Sequence, residues 1–296
     1  MFINQIGIVS ESNKVSRRDL MRVTAAVQKQ VMRDFEPIWG VNATIDSFEV
    51  LQDVPIGYWP VIVRDDIGVP GAAGIHLDDD GQPFALVEAG PGWSLTASHE
   101  VLEMLADPFG DRLIAGDSVK PDQGRVEYLV EVCDPSEAPE FAYTVNGVLV
   151  SDFYTQAYFD PVGALGVRYG FTGALTGPRQ VLRGGYLSWH NPVDNHWWQL
   201  QFFDPEPVFV DLGVFDDLEN SLRSWIDSKT DTRAILRGVT RADSQFARLA
   251  ARAKNMDASC ASKASRWRAT IERIIAGKKV GASRAGRYNK QRRGRR

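Results

Sequence analysis

The N-terminal half of the chain alternates between helix-like and strand-like patterns of apolar residues. Ser16 is typical of a helix N-cap, and the segment after it keeps one apolar face to about Phe35. That face consists of Leu20, Val23, Val27 and Val31. Strands are predicted at residues 43–48, 57–63 and 84–87. A second helix follows at residues 98–108, and this order of elements predicts an α+β fold.

More β-structure is predicted downstream of the second helix. The Asn-Gly pair at 146–147 is a strong hairpin signal between the apolar segments 141–145 and 148–153. Aromatic residues concentrate in segments 186–190 and 196–203, which predict further sheet.

The C-terminal part has a different character. Residues 216–226 and 234–276 show helix-like spacing with few breakers, and they predict two or three helices. Their apolar positions could dock on the preceding domain or on another subunit. We therefore expect a domain at 1–212, a helical region at 213–276 and a basic tail at 277–296.

The second helix carries a set of side chains with metal-binding chemistry. His99 and Glu103 are one turn apart, so they project from the same face and can hold one cation. Glu100 lies about 100° round the helix, where it can orient a metal-bound water molecule. The helical H-E-x-x-H signature divides the roles in this way, but here Glu103 replaces the second histidine. The alternative is a solvated polar stripe on an ordinary helix capped by Thr96 or Ser98.

A further protein ligand is expected from the acidic segment at residues 127–137. Glu131 and Asp134 are the best candidates there, because a returning element can bring either carboxylate beneath the helix. The alternative places Glu127 and Glu131 on the wet face of a strand, with Asp134 opening a turn.

At these positions the chain resembles the zincin metallopeptidases, and more closely bacterial and phage-encoded zincin-like proteins. Those proteins carry a Ser-His-Glu-x-x-Glu-x-x-x-Asp-Pro helix followed by a Glu-x-x-Asp element. The matching residues are Ser98, His99, Glu100, Glu103, Asp107, Pro108, Glu131 and Asp134. The resemblance extends over roughly residues 15–190.

The resemblance implies a zincin-like fold: an N-terminal helix, a twisted mixed sheet, an active-site helix and a further β-rich part. The C-terminal helical region and the basic tail would be appended to it. It also implies that His99 and Glu103 are zinc ligands, that Glu100 is the general base, and that Glu131 or Asp134 is the remaining ligand.

The ligand types restrict the metal and the reaction. One imidazole with two carboxylates suits Zn²⁺, our first choice, and would also tolerate Mn²⁺ or Ca²⁺. Hydrolysis of a protein or peptide is the natural reaction for such a site. Tyr158, Tyr154 and His76 are candidates for the electrophile that stabilises the reacting carbonyl oxygen. The alternative is that the tyrosines belong to the core and that His76 is a surface or satisfied residue.

The net charge of −4 conceals an uneven distribution. Residues 233–296 contain 19 basic and three acidic residues, whereas the rest of the chain contains 15 basic and 35 acidic residues. The basic tail is expected to be disordered in isolation, and it could bind nucleic acid or an acidic protein surface.

The sequence shows neither an apolar run long enough for a membrane span nor a secretory signal. We therefore expect no membrane partner and a cytoplasmic or virion-associated protein. Two alternatives to a peptidase stay open. One is a catalytically silent zincin-like structural or interaction protein, as in a phage particle, and the other is a nucleic-acid-associated protein whose metal only stabilises the fold.

Overall fold

A computed structural model of the chain describes residues 3–69, 72–79, 81–216 and 221–230. The helices predicted within 234–276 and the basic tail at 277–296 lie outside these residues. All described residues belong to one compact unit.

The described structure contains four α-helices and twelve strands. The helices are α1 (Arg17–Gln30), α2 (Glu36–Trp39), α3 (Trp93–Ala106) and α4 (Leu222–Lys229). The strands are β1 (Asn4–Ser10), β2 (Ala43–Phe48), β3 (Trp59–Arg64), β4 (Gly74–Asp79), β5 (Gln82–Glu88), β6 (Leu113–Asp117), β7 (Arg125–Leu129), β8 (Tyr143–Val145), β9 (Val148–Val150), β10 (Tyr186–Asn191), β11 (His196–Gln201) and β12 (Val208–Gly213). This architecture confirms the predicted α+β class.

The first sheet is mixed and has five strands in the order β2-β1-β3-β5-β4. Strands β2, β1, β3 and β5 run parallel, and β4 pairs antiparallel to β5 at the edge. The predicted strands at 43–48, 57–63 and 84–87 are confirmed as β2, β3 and β5. The sequence pattern missed β1, where Ile6, Ile8 and Val9 are buried. A strand buried on both faces lacks the polar alternation that marks a half-exposed strand.

The N-terminal helix begins where its cap predicts but runs further than expected. Ser16 Oγ accepts a hydrogen bond from the backbone N–H of Asp19 at 3.1 Å. The helix continues through a π-helical turn at Val31–Phe35 and then α2, so the predicted end near Phe35 is too early. It stops at Gly40, whose φ of 69° is the left-handed conformation that favours glycine at a helix end.

The second sheet is antiparallel, with the order β12-β11-β10-β7-β6. It contains the predicted aromatic strands β10 and β11. The predicted hairpin is also confirmed, since β8 and β9 pair directly across Asn146 and Gly147. Both turn residues have positive φ, 52° and 78°, as a type I′ turn requires.

The segment after the second sheet returns to it as a helix. The helix predicted at 216–226 overlaps α4 (Leu222–Lys229) only in part, and α4 ends later than predicted. Ser221 caps α4 by accepting a hydrogen bond from the N–H of Ser224 at 3.2 Å. Trp225 and Ile226 of α4 pack into a small core cluster with Leu129 at the end of β7. Among the described residues, no helix combines the length and apolarity needed to cross a membrane.

Candidate metal centre

Helix α3 is fixed by a buried polar network at the base of the site. Ser98 donates from Oγ to Oε1 of Gln30 on α1 at 2.8 Å, and the backbone N–H of Ser151 donates to Ser98 Oγ at 2.8 Å. Gln30 Nε2 in turn donates to the carbonyl oxygen of Ser151 at 2.9 Å. The helix begins at Trp93, so the alternative in which Thr96 or Ser98 caps an exposed helix is wrong. The network fixes the rotation of α3, so the next residue, His99, projects from a defined face.

His99 contacts both Glu103 and Asp134. His99 Nε2 lies 3.1 Å from Glu103 Oε2 and 3.2 Å from Asp134 Oδ1. Glu103 and Asp134 are buried, whereas 12% of the His99 side chain remains exposed. The centre therefore reaches the protein surface at its imidazole.

The chain after β7 brings Asp134 to His99. It runs through buried residues 130–133 into a 3-10 turn at Asp134–Ser136. On the way, the backbone N–H of Cys133 donates to Glu103 Oε1 at 3.1 Å. One oxygen of Glu103 is therefore held by backbone, and the other faces His99.

Glu131, the other candidate ligand, is engaged by a cation of the protein itself. Arg223 on α4 places Nη1 2.6 Å from Glu131 Oε1 and 3.4 Å from Asp134 Oδ2. It also reaches Asp227 on its own helix at 3.2 Å. Both Glu131 and Arg223 are buried. The alternative in which Glu131 lies on a wet strand face is therefore wrong.

His76 on the edge strand β4 approaches the acidic side chains of the same helix. Its Nδ1 lies 3.6 Å from Glu100 Oε2 and 3.7 Å from Glu103 Oε2, and its side chain is fully buried. Gly74 makes this approach possible, because a Cβ there would lie 2.4 Å from Glu100 Oε1.

The donor atoms fit a bound cation. Sets of ligand atoms lying within 4.8 Å of one another include His99 with Asp134 and Glu137, and Glu103 with Glu131 and Asp134. Several buried donor atoms make no hydrogen bond with the described residues: both ring nitrogens of His76, Oε2 of Glu100 and of Glu103, Oδ1 of Asp134 and Oε1 of Glu137. Buried carboxylate oxygens without a partner are costly. Arg223 is one guanidinium among at least four carboxyl groups, so a further positive charge would stabilise the centre.

Burial and neighbouring charges shift the pKa values of the ionisable groups of the centre in different directions. Burial lowers the pKa of His99, but the attraction of the nearby carboxylates of Glu103 and Asp134 outweighs it, and the pKa lies well above its usual value. Burial tends to raise the pKa of Glu103, but His99 and Arg223 lower it below the usual range. Burial raises the pKa of Glu131 well above normal despite the attraction of Arg223. A bound cation would therefore compete with the proton on His99 and favour the ionised carboxylates.

The two candidate tyrosines differ in their hydroxyl contacts. Tyr158 is buried and donates its hydroxyl to the carbonyl oxygen of Gln180 at 2.8 Å, so that hydroxyl is already engaged. Tyr154 stacks on it, with ring centroids 4.3 Å apart. The buried Tyr154 hydroxyl makes no hydrogen bond among the described residues. Burial, with the nearby charges of Tyr158, Glu131 and Glu103, raises its pKa. Of the two hydroxyls, that of Tyr154 is therefore the one without a hydrogen-bond partner among the described residues.

Three predicted ligands, His99, Glu103 and Asp134, are thus brought together, with Glu131, Glu100 and His76 at their edge. Sequence reasoning missed Arg223 and Glu137. Glu137 lies in the acidic segment and could have been included, but no local signal marks Arg223, which belongs to a helix far along the chain. Comparison of the chain with known protein families, curated proteins and solved structures gives no match.

Proposed function

We propose that the chain is a metal-dependent peptidase with a zincin-like catalytic domain, in which His99, Glu103 and Asp134 hold a zinc ion. The observation that carries the proposal is that one imidazole contacts two buried carboxylates. The carboxylate oxygens that face the imidazole make no hydrogen bond among the described residues. A nitrogen and two oxygen donors suit Zn²⁺, and Mn²⁺ or Ca²⁺ would be tolerated less well.

The surrounding residues have separate tasks in this proposal. A bound zinc ion would supply Lewis acidity and lower the pKa of a coordinated water molecule. Glu100 would be the general base, and its carboxylate lies within 4.8 Å of an oxygen of Glu103, one of the proposed ligands. Arg223 holds Glu131 and Asp134 in place through contacts at 2.6 and 3.4 Å.

The edge of the first sheet favours a peptide as the substrate. Among the described strands, β4 pairs only with β5, so it is an edge strand of the first sheet. An extended peptide can add to such an edge through backbone hydrogen bonds. Because β4 also carries His76, a peptide bound along it would run close to α3.

Metal analysis and one substitution test the proposal together. Protein purified without added metal should contain a transition metal, and it should cleave an unfolded protein substrate. Glu100→Gln should keep the ion at His99, Glu103 and Asp134 but lower turnover by about 10²- to 10⁴-fold, because general-base catalysis is lost. Glu127→Gln is the control, since Glu127 contacts His190 on the second sheet. Absence of cleavage in the metal-loaded wild type contradicts the proposal.

The ion pairs of Arg223 with the acidic residues of the centre favour a second candidate function. A guanidinium that already lies among Glu103, Glu131 and Asp134 partly neutralises them without a metal. A catalytically silent structural or interaction protein would retain this arrangement for stability alone. Under that proposal the purified protein contains no transition metal and no peptide is cleaved.

A further inference from the structure

His76 has an environment that the proposed zinc site does not explain. Its side chain is fully buried, and neither ring nitrogen makes a hydrogen bond with the described residues. A buried imidazole normally donates from one nitrogen and accepts at the other, and leaving both unsatisfied is costly. The nearest polar groups are carboxylate oxygens of Glu100 and Glu103, at 3.6 and 3.7 Å from Nδ1.

These distances are too long for good hydrogen bonds but suit ligands of a common ion. Zinc lies about 2.0–2.2 Å from nitrogen and oxygen ligands, so two ligands of one ion are roughly 3–4 Å apart. His76, Glu100 and Glu103 together offer one donor atom each within 4.8 Å of one another, and all three residues are buried. Glu100 Oε2 and Glu103 Oε2 also lack hydrogen-bond partners among the described residues.

The two imidazoles belong to different ligand sets that share one residue. His99 contacts Glu103 and Asp134. The donor atoms of His76 lie within 4.8 Å of those of Glu100 and Glu103. Glu103 Oε2 lies 3.1 Å from the nitrogen of His99 and 3.7 Å from that of His76. The carboxylate of Glu103 therefore lies between the two histidines.

We infer that His76, Glu100 and Glu103 form a second divalent-cation position beside the first, and that Glu103 bridges the two ions. The second position rests on the proposed function, since the first ion is that of the proposed zinc site. Its ligands are one nitrogen and two carboxylates, which accept Zn²⁺ or Mn²⁺. Two ions that share a carboxylate are about 3.5–4 Å apart in hydrolytic two-metal sites. The second ion would take only Oε2 of Glu100 as a ligand, which leaves Oε1 for the proposed general-base role, and it would supply the partner that His76 lacks.

Manganese titration tests the second position independently of turnover. The full-length chain is stripped with a chelator and titrated with Mn²⁺, and bound metal is measured by elemental analysis and electron paramagnetic resonance. Two ions per chain are expected, with a spectrum that shows magnetic coupling between neighbouring Mn²⁺ ions. His76→Gln should bind one ion and give an uncoupled spectrum.

Controls separate the second position from the first. His196→Gln is the matched substitution, because His196 pairs with Asp211 on the second sheet and should retain both coupled ions. A single ion in the wild-type protein overturns the second position and leaves the proposed zinc site standing, whereas no ion overturns both. Two ions without coupling overturn the bridging role of Glu103. The wild-type measurement decides the matter even if His76→Gln does not fold.

Discussion

Asp134 Oδ1 lies 3.2 Å from His99 Nε2, which brings the turn after β7 against the middle of helix α3. The contact distinguishes the two acids that the sequence left open. Asp134 faces the imidazole directly, whereas the shortest ion pair of Glu131 is with Arg223 at 2.6 Å. We therefore propose Asp134, and not Glu131, as the third metal ligand, since Glu131 pairs with the arginine.

Asp134→Asn should weaken zinc binding more than Glu131→Gln. Even residues that only orient metal ligands contribute about 10- to 100-fold in affinity, so loss of a direct ligand should cost at least that much. Competition with a fluorescent zinc chelator measures both variants. The opposite ranking would make Glu131 the third ligand and would show that Asp134 only orients His99.

Arg223→Met should destabilise the metal-free protein by about 3–5 kcal/mol, because it leaves the buried carboxylate of Glu131 without its partner. Urea unfolding in the presence of a chelator measures the loss. Arg64→Met is the control, since Arg64 pairs with Glu11 at 2.7 Å on the surface and such pairs contribute about 0–1 kcal/mol. Equal losses in the two variants would contradict a buried, structurally important Arg223.

Gly74→Ala should lower turnover by displacing Glu100. The added Cβ would lie 2.4 Å from Glu100 Oε1 and 2.5 Å from Thr96 Cγ2, so the carboxylate or strand β4 must shift. A misplaced catalytic group costs on the order of 10²-fold in rate. Steady-state cleavage assays measure the effect. Gly124→Ala is the control, because a Cβ there meets no atom within 4 Å. Unchanged turnover in Gly74→Ala would show that Glu100 takes no part in the reaction.

The metal-free protein should be most stable at mildly acidic pH. The pKa of His99 is raised in the folded state, so its stabilisation is full below its unfolded pKa of about 6.5 and is lost as pH rises through the folded value. Burial raises the pKa of Glu131, so its contribution to stability is also lost as pH rises. The pKa of Glu103 is lowered, so its contribution is lost as pH falls below the usual range for Glu.

Urea unfolding across pH 5–9, with chelator and with zinc, measures this profile. Zinc should move the optimum upward, because metal ligands bind in their deprotonated forms. His99→Gln should flatten the alkaline loss in chelator. If the chelated wild-type protein instead becomes more stable above pH 7, the protonated His99 makes no stabilising contribution.

The local sequence pattern predicted several secondary-structure elements correctly and missed others. Ser16 marks the first helix, and the Asn-Gly pair at 146–147 marks the hairpin, since both act through neighbouring backbone groups. The central strand β1 was missed because burial on both faces removes its alternation. The end of the first helix was placed too early, because Pro37 lies in the first turn of α2, where proline is tolerated, and the helix stops only at Gly40.

By itself, the sequence determined that His99, Glu100 and Glu103 share one helix, because their spacing fixes their relative directions on a helical turn. It also restricted the opposing acids to the segment containing Glu131 and Asp134. Only the tertiary structure decided which acid faces His99, that Arg223 neutralises the other, and that His76 approaches Glu103 from β4. Those contacts join elements distant along the chain, and their geometry depends on how sheets and helices pack, which no local spacing specifies.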